Sequence, residues 1–159
     1  MIRPSAIVPA GATTITIPHR IGFFETDGMG IVHHANYLRH CENARVVWLE
    51  THDRAYPDWI AAGLHFAVTR VELDYRRPAR FDDRIEITTW LEWVGGASLA
   101  MAYAIGCRDE LLVSGRTEHA AVDGEGRVRR IARADRERLA RHALPGAGQP
   151  GDRRDDVAR

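Results

Sequence analysis

The period of the apolar residues changes once along this chain, from about 3.6 to 2, and that change limits what it can fold into. Across residues 36–51, Tyr37, Cys41, Ala44 and Trp48 recur at helical spacing, flanked by Leu38, Val47 and Leu49, with Arg39, Asn43 and Glu50 on the opposite side. From residue 70 the alternation is strand-like. Val71, Leu73 and Tyr75 oppose Glu72 and Asp74, and Ile85, Ile87, Leu91 and Trp93 oppose Arg84, Glu86 and Glu92. Leu99, Met101, Tyr103 and Ile105 alternate with Ala100, Ala102 and Ala104, and residues 111–122 make a fourth run after the Arg108-Asp109-Glu110 turn. The links at 94–97 and 108–110 are short, as antiparallel hairpins require. One strand precedes the helix, over Thr13–Phe24, where Pro18 calls for an edge strand or a bulge. Shorter helices are predicted over Asp58–Ala62, stopped by Gly63, and over Arg133–Arg141, where Leu139 is the single large apolar residue. The outline is an α+β domain with one long helix laid against a face of an antiparallel sheet. The alanine face of residues 98–107 is expected to admit that helix closely.

Composition removes several function classes. The 159 residues suit one domain, predicted over 13–143, with a flexible lead-in at 1–12 and a Gly-, Pro- and charge-rich disordered tail at 144–159. The 22 basic residues balance 22 acidic ones, so no general attraction to nucleic acid exists. Cys41 and Cys107 lie far apart without zinc-ligand spacing, which argues against both a disulfide framework and a structural zinc site. No apolar run approaches membrane-spanning length, and Met1–Thr13 has no signal-peptide core, so no membrane association and a cytoplasmic setting are expected. Every basic residue is Arg, a pattern that coding bias explains and that also suits bidentate gripping of phosphate or carboxylate.

Unusual residues concentrate in the loop 25–36. Gly28 and Gly30 let backbone amides turn toward a ligand, and the helix start near His34–Tyr37 offers unpaired N–H groups and the positive end of the helix dipole. With Asp27 opposite, this would place a carboxylate and an oxyanion-binding amide around one carbonyl, the requirement of acyl transfer. An Asp ahead of a helix also serves as a turn or cap residue.

The run Phe24-Glu25-Thr26-Asp27-Gly28-Met29-Gly30-Ile31-Val32-His33-His34-Ala35-Asn36-Tyr37-Leu38-Arg39 resembles the N-terminal signature of the 4-hydroxybenzoyl-CoA thioesterase-like family of hotdog-fold proteins. Glu42-Asn43-Ala44-Arg45 resembles the family's Glu-x-Ala-Arg on the central helix, and Asp74-Tyr75-Arg76-Arg77-Pro78-Ala79 followed by Asp82 resembles its Tyr-x-x-Pro segment. The likeness spans roughly 14–131. It implies a five-stranded antiparallel sheet wrapped around a long central helix, and homodimers, often dimers of dimers, with sites at the subunit interface. It also implies hydrolysis of an acyl-CoA or acyl-carrier-protein thioester, without metal or organic cofactor. Asp27 matches the catalytic carboxylate, as nucleophile or general base, and the backbone N–H around His34 matches the group that polarises the carbonyl. Gly30, His33, Asn36 and Tyr37 fall in the same signature as substrate-side candidates; Asn36 is expected to cap or brace the loop and Tyr37 to pack. Glu25 stands where the family more often has Asp, and His33-His34 replace its usual pair, which bears on the shape of the acyl pocket.

Other residues invite readings of their own. His33, His34 and His40 do not make a metal site, because adjacent histidines at a loop–helix junction are expected to point apart and no carboxylate completes the spacing. Glu42 and Arg45 are expected to form an ion pair at helix spacing. A substrate with phosphates needs cations, and Arg80 and Arg84, or Arg127, Arg129 and Arg130, are the candidates beside a solvated role. Trp59, Leu64 and Phe66 are candidates for the pocket lining. Two other hotdog activities compete: a non-catalytic acyl-binding module, and a dehydratase or hydratase, for which His65-Phe66 lacks the accompanying prolines.

Overall fold

Tyr37, Cys41, Ala44, Trp48 and Leu49 lie on one stripe of helix α1 (His34–His52), and burying that stripe organises the molecule. The structure is a computed structural model and describes residues 2–145. Strand β1 (Thr14–Arg20) precedes α1, a short helix α2 (Tyr56–Ala61) follows it, and then come β2 (His65–Tyr75), β3 (Arg84–Val94), β4 (Ser98–Cys107), β5 (Glu110–Val122) and α3 (Arg133–Ala140). The five strands form one sheet in the order β1-β3-β4-β5-β2, every neighbouring pair antiparallel. Register shifts at Val68/Arg70, Leu91/Trp93 and Ile105/Gly106 are the irregularities that bend strands and let a sheet curl around a helix. This is the hotdog arrangement that the sequence led us to expect.

Pro18 sits in β1, an edge strand, where its missing N–H costs no ladder bond in the interior of the sheet. The other edge, β2, begins five residues before the alternation becomes readable at Arg70. Ile85, Ile87, Leu91, Leu99, Met101, Tyr103 and Ile105 meet the α1 stripe in the main core.

The alanine face is a correction. Ala102 and Ala104 point away from α1 and, with Trp90 and Leu111, form a second cluster covered by Ile7, Val8 and Ala12. Both faces of β4 are therefore covered, and the small residues mark where the chain's beginning lies across the sheet. Gly106 belongs to the same contact: a Cβ there would stand 2.2 Å from Pro4 Cγ. Residues 2–12, expected to be a flexible lead-in, pack here, and the carbonyl of Ile2 accepts the Leu111 N–H at 2.8 Å. Of the expected tail, 146–159 lies outside the described residues. Among the described residues no helix is long and apolar enough to cross a membrane.

Candidate active site

The segment from Glu25 to His34 leaves β1 and returns into α1 as a closed loop. Asp27 N–H donates to the Ile31 carbonyl at 2.9 Å, Gly30 N–H donates to the Asp27 carbonyl at 2.9 Å, and Thr26 bridges Val32. Gly30 has φ +70°, a left-handed conformation that favours glycine, and it lets the chain turn back beside Arg80. The loop is then fastened to the helix. His33 N–H donates to the Glu25 carbonyl at 2.9 Å, and Asn36 Nδ2 donates to that same carbonyl at 2.8 Å. Asn36 thus braces the loop, as expected.

Half-buried Asp27 holds one carboxylate oxygen, Oδ1, against the Met29 N–H at 2.8 Å. Among the described residues Oδ2 has no hydrogen-bond partner. His33 is the N-cap of α1; its Nδ1 accepts the Ala35 N–H at 3.2 Å. Asn36 N–H is satisfied by the His33 carbonyl at 2.9 Å, whereas among the described residues the His34 N–H has no such partner. Asp27, His34 and Tyr37 line one cavity of about 260 Å³. Met29, Ile31 and Val32 give it an apolar wall, and Tyr75, Arg76, Arg77 and Pro78 close the side toward β2. Tyr37 is buried; its hydroxyl accepts the Ala79 N–H at 2.9 Å, and burial pushes its pKa upward despite that bond. Tyr75 meets Tyr37 edge-on and donates its hydroxyl to the His34 carbonyl at 3.1 Å. An apolar cleft with one carboxylate and one unpaired helix-end N–H suits nucleophilic or general-base attack on a carbonyl.

The remaining candidates fall in different places. Arg80 reaches the loop, with Nη1 3.4 Å from the Gly30 carbonyl, and Arg84 stands exposed at the start of β3. Arg129 pairs with Asp123 at 2.6 Å, and Arg130 follows it beyond the Val122 end of β5. In the β2–β5 pairing, Val122 lies opposite His65 and Val113 opposite Tyr75, so within one chain Arg129 and Arg130 are a strand length from the cavity. Arg76 and Arg77 do line it, and the sequence reading did not single them out. Their signal was the Tyr75-Arg76-Arg77-Pro78 run leaving a strand edge. Arg77 is also paired with Glu110 at 2.5 Å.

Three expectations change. Arg45 does not pair with Glu42; it is buried with its guanidinium 5.5 Å from the Tyr56 ring, while Glu42 is exposed, although both line one small cavity with Tyr103 and His119. Trp59 and Phe66 meet edge-on at 5.1 Å in the core beside α2, with Leu64 packed against that core, and none of the three lines the cavity. The rings of His33 and His34 lie 4.2 Å apart, near each other where they were expected to diverge, because one caps the helix and the other begins it.

Behind the loop, Glu25 gathers two histidines. Oε2 accepts the Gly22 N–H at 2.7 Å and lies 2.9 Å from His19 Nε2, while Oε1 lies 2.9 Å from His40 Nε2. Burial pushes the Glu25 carboxyl up, but the Gly22 N–H and the two imidazoles outweigh it and hold the group below its ordinary range. These three residues form the one group among the described residues whose side chains converge as metal ligands do.

The sequence model of the Thioesterase superfamily, 4HBT, matches residues 29–114. The Acyl-CoA thioester hydrolase YbgC of Escherichia coli O6:H1 is 34% identical over 88 residues, 55% of this chain and 66% of that protein. The Acyl-CoA thioesterase YbgC of Haemophilus influenzae is 28% identical over 130 residues, 81% of this chain and 95% of that protein. Among solved structures, a hypothetical protein of Thermus thermophilus, TT1821, superposes with a TM-score of 0.78 at 31% identity, over 84% of this chain and all of that one.

Proposed function

The chain belongs to the thioesterase superfamily, and from that membership we propose that it hydrolyses the thioester of an acyl-CoA to a free acid and a thiol. The observation that carries this reading is that Asp27 and the N-terminal turn of α1 line the same apolar cavity. The thioester carbonyl sits between them, its oxygen receiving the His34 N–H and its carbon facing Asp27 Oδ2. As general base, Asp27 takes a proton from the attacking water; the C–S bond breaks, and the proton leaves on the thiolate. As nucleophile, Asp27 forms an acyl anhydride as the C–S bond breaks and the thiolate leaves; water then opens the anhydride, freeing the acid, restoring the carboxylate and supplying the proton the thiolate takes up. Helix-end polarisation serves either route, because negative charge develops on the same oxygen.

With no net charge to attract a polyanion, coenzyme A must be held by local cations. Arg76 and Arg77, which line the cavity, and Arg80, which reaches the Gly30 carbonyl of the loop, are the cations that serve that purpose. The chain acts as a homodimer paired along β2, whose outer edge leaves Val68 52%, Val71 41% and Tyr75 50% exposed. A two-fold axis there sets the strands antiparallel and carries the His65 end of one β2, with its Arg129 and Arg130, toward the Tyr75 end of the other. The free Cys41 and Cys107 suit a reducing cytoplasmic setting.

The test is thiol release from short, long and aromatic acyl-CoAs and from acyl-carrier proteins. Release from at least one CoA ester is expected. Binding without release would mark a non-catalytic acyl-binding module, and release from carrier protein alone would replace the thiol carrier.

A further inference from the structure

His19, Glu25 and His40 come from three separate segments. His19 follows Ile15 and Ile17 on the inner face of β1, Glu25 ends the turn Phe23–Glu25, and His40 lies in the second turn of α1. One ligand atom from each lies within 4.8 Å of the others. Glu25 and His40 are 4% and 5% exposed, whereas the His19 side chain is 35% exposed, so the group is closed on the inside and open on one side.

A hydrogen-bonded latch would account for the His19 half of this group, where Nε2 meets Oε2 at 2.9 Å. It fits His40 less well, whose Nε2 is 2.9 Å from Oε1, close enough for an ion pair but without the direction of a good hydrogen bond. A buried imidazole nitrogen is thus aimed into the space shared with the carboxylate and the second imidazole, and such groups normally have a partner. Two imidazoles and one carboxylate form a donor set suited to zinc-class ions, which take three protein ligands and keep a fourth position for water. A tetrahedral ion with bonds of about 2.1 Å sets its ligand atoms roughly 3.4 Å apart. That separation falls between the 2.9 Å contacts and the 4.8 Å limit seen here.

We infer that His19, Glu25 and His40 bind one divalent transition-metal ion of the zinc class. Its role is to fasten the reactive loop. The ion ties β1 and α1 to Glu25, and the Glu25 carbonyl holds His33 and Asn36 at the far end of that loop. None of the three ligands lines the Asp27 cavity, so the ion is not part of the hydrolytic step.

The test uses untagged full-length protein stripped with a chelator, then titrated with Zn²⁺ and with Co²⁺ by calorimetry and absorption, without any substrate. One ion per chain, a higher Tm and a visible Co²⁺ band of a low-coordinate site are expected. His19→Ala and His40→Ala should each lower affinity at least about 100-fold, above the 10–100-fold loss common for groups one step removed from the metal. His52→Ala should leave it unchanged. His19 is partly exposed, so His19→Ala keeps a valid test, with circular dichroism as the check on folding, if the His40 variant fails to fold. No binding to the wild-type chain, or unchanged affinity in His19→Ala, would overturn the site.

Discussion

The side-chain amide of Asn36 donates to the backbone carbonyl of Glu25 at 2.8 Å, joining the first turn of α1 to the residue at which the reactive loop begins. Asp27 hangs between these two points. Asn36→Ala removes the brace without touching the carboxylate. The expected result is a stability loss of about 1 kcal/mol, read as a Tm lower by roughly 2–4 °C, with kcat down about tenfold or more because the loop no longer holds its geometry. Calorimetry and steady-state kinetics on the same sample check both. An unchanged kcat would show that the loop keeps its geometry without Asn36.

Tyr37 makes a different kind of bond. Its hydroxyl is the acceptor for the N–H of Ala79, and both residues are buried. Tyr37→Phe preserves the ring and its edge contact with Tyr75 but strands that N–H. The cost of an unpaired buried donor is about 1–3 kcal/mol, so the urea midpoint should fall. A midpoint within error of wild type would mean that Ala79 finds another acceptor.

Acid sensitivity should centre on His119. It is 1% exposed, and burial together with the nearby Arg45 guanidinium pushes its pKa down to about 3, against a smaller opposing effect of the Phe66 backbone. Thr117 Oγ1 is 2.7 Å from Nε2. The folded chain keeps this imidazole neutral, whereas the unfolded chain protonates it below about 6.5. The unfolded state therefore binds more protons between pH 6.5 and about 3, and stability declines across that window as pH falls, by a few kcal/mol at about 1.4 kcal/mol per pH unit. His119→Asn removes the titration. Its stability relative to wild type should rise as pH is lowered through the window, measured by urea unfolding at each pH. A pH-independent difference would exclude His119 as the source.

The exposed edge of β2 makes a prediction about assembly. Val71→Arg places a like charge against its symmetry mate in a two-fold pairing, and charges at a strand edge block such contacts. Sedimentation should show a dimer for wild type and a shift toward monomer for the variant, with activity falling in step. A wild-type monomer with full turnover would remove the dimer from the account.

The long helix and the alternating runs of β3 and β4 were legible because each carries its own period, whereas the first half of β2 carries no alternation and was missed. The loop was legible because Asp27, Gly30 and Asn36 stand in a recognisable order. What the alternation left undecided was which side of a strand faces inward when both sides are covered, and so the alanines of β4 were assigned to α1 when they receive residues 2–12. The His19–Glu25–His40 group was hidden by distance along the chain. His40 was weighed with its sequence neighbours His33 and His34, while its spatial partner lies 21 residues earlier on another element. A signal did exist: His19 continues the Ile15–Ile17 face of β1, and His40 shares the buried stripe with Tyr37, Cys41 and Ala44. Arg45 was assigned to the nearest acidic residue on its helix, although its buried guanidinium lies over the Tyr56 ring while Glu42 stays exposed.

The measurement closest to the central claim is the turnover of Asp27→Asn on the best acyl-CoA substrate. Asparagine keeps an oxygen to accept the Met29 N–H, so the loop bond at 2.8 Å survives while the nucleophile or base is lost. An unchanged Tm and a kcat lower by at least about 10²-fold, the lower end of what such groups supply, are expected. Wild-type turnover in a folded Asp27→Asn protein would contradict that role for Asp27.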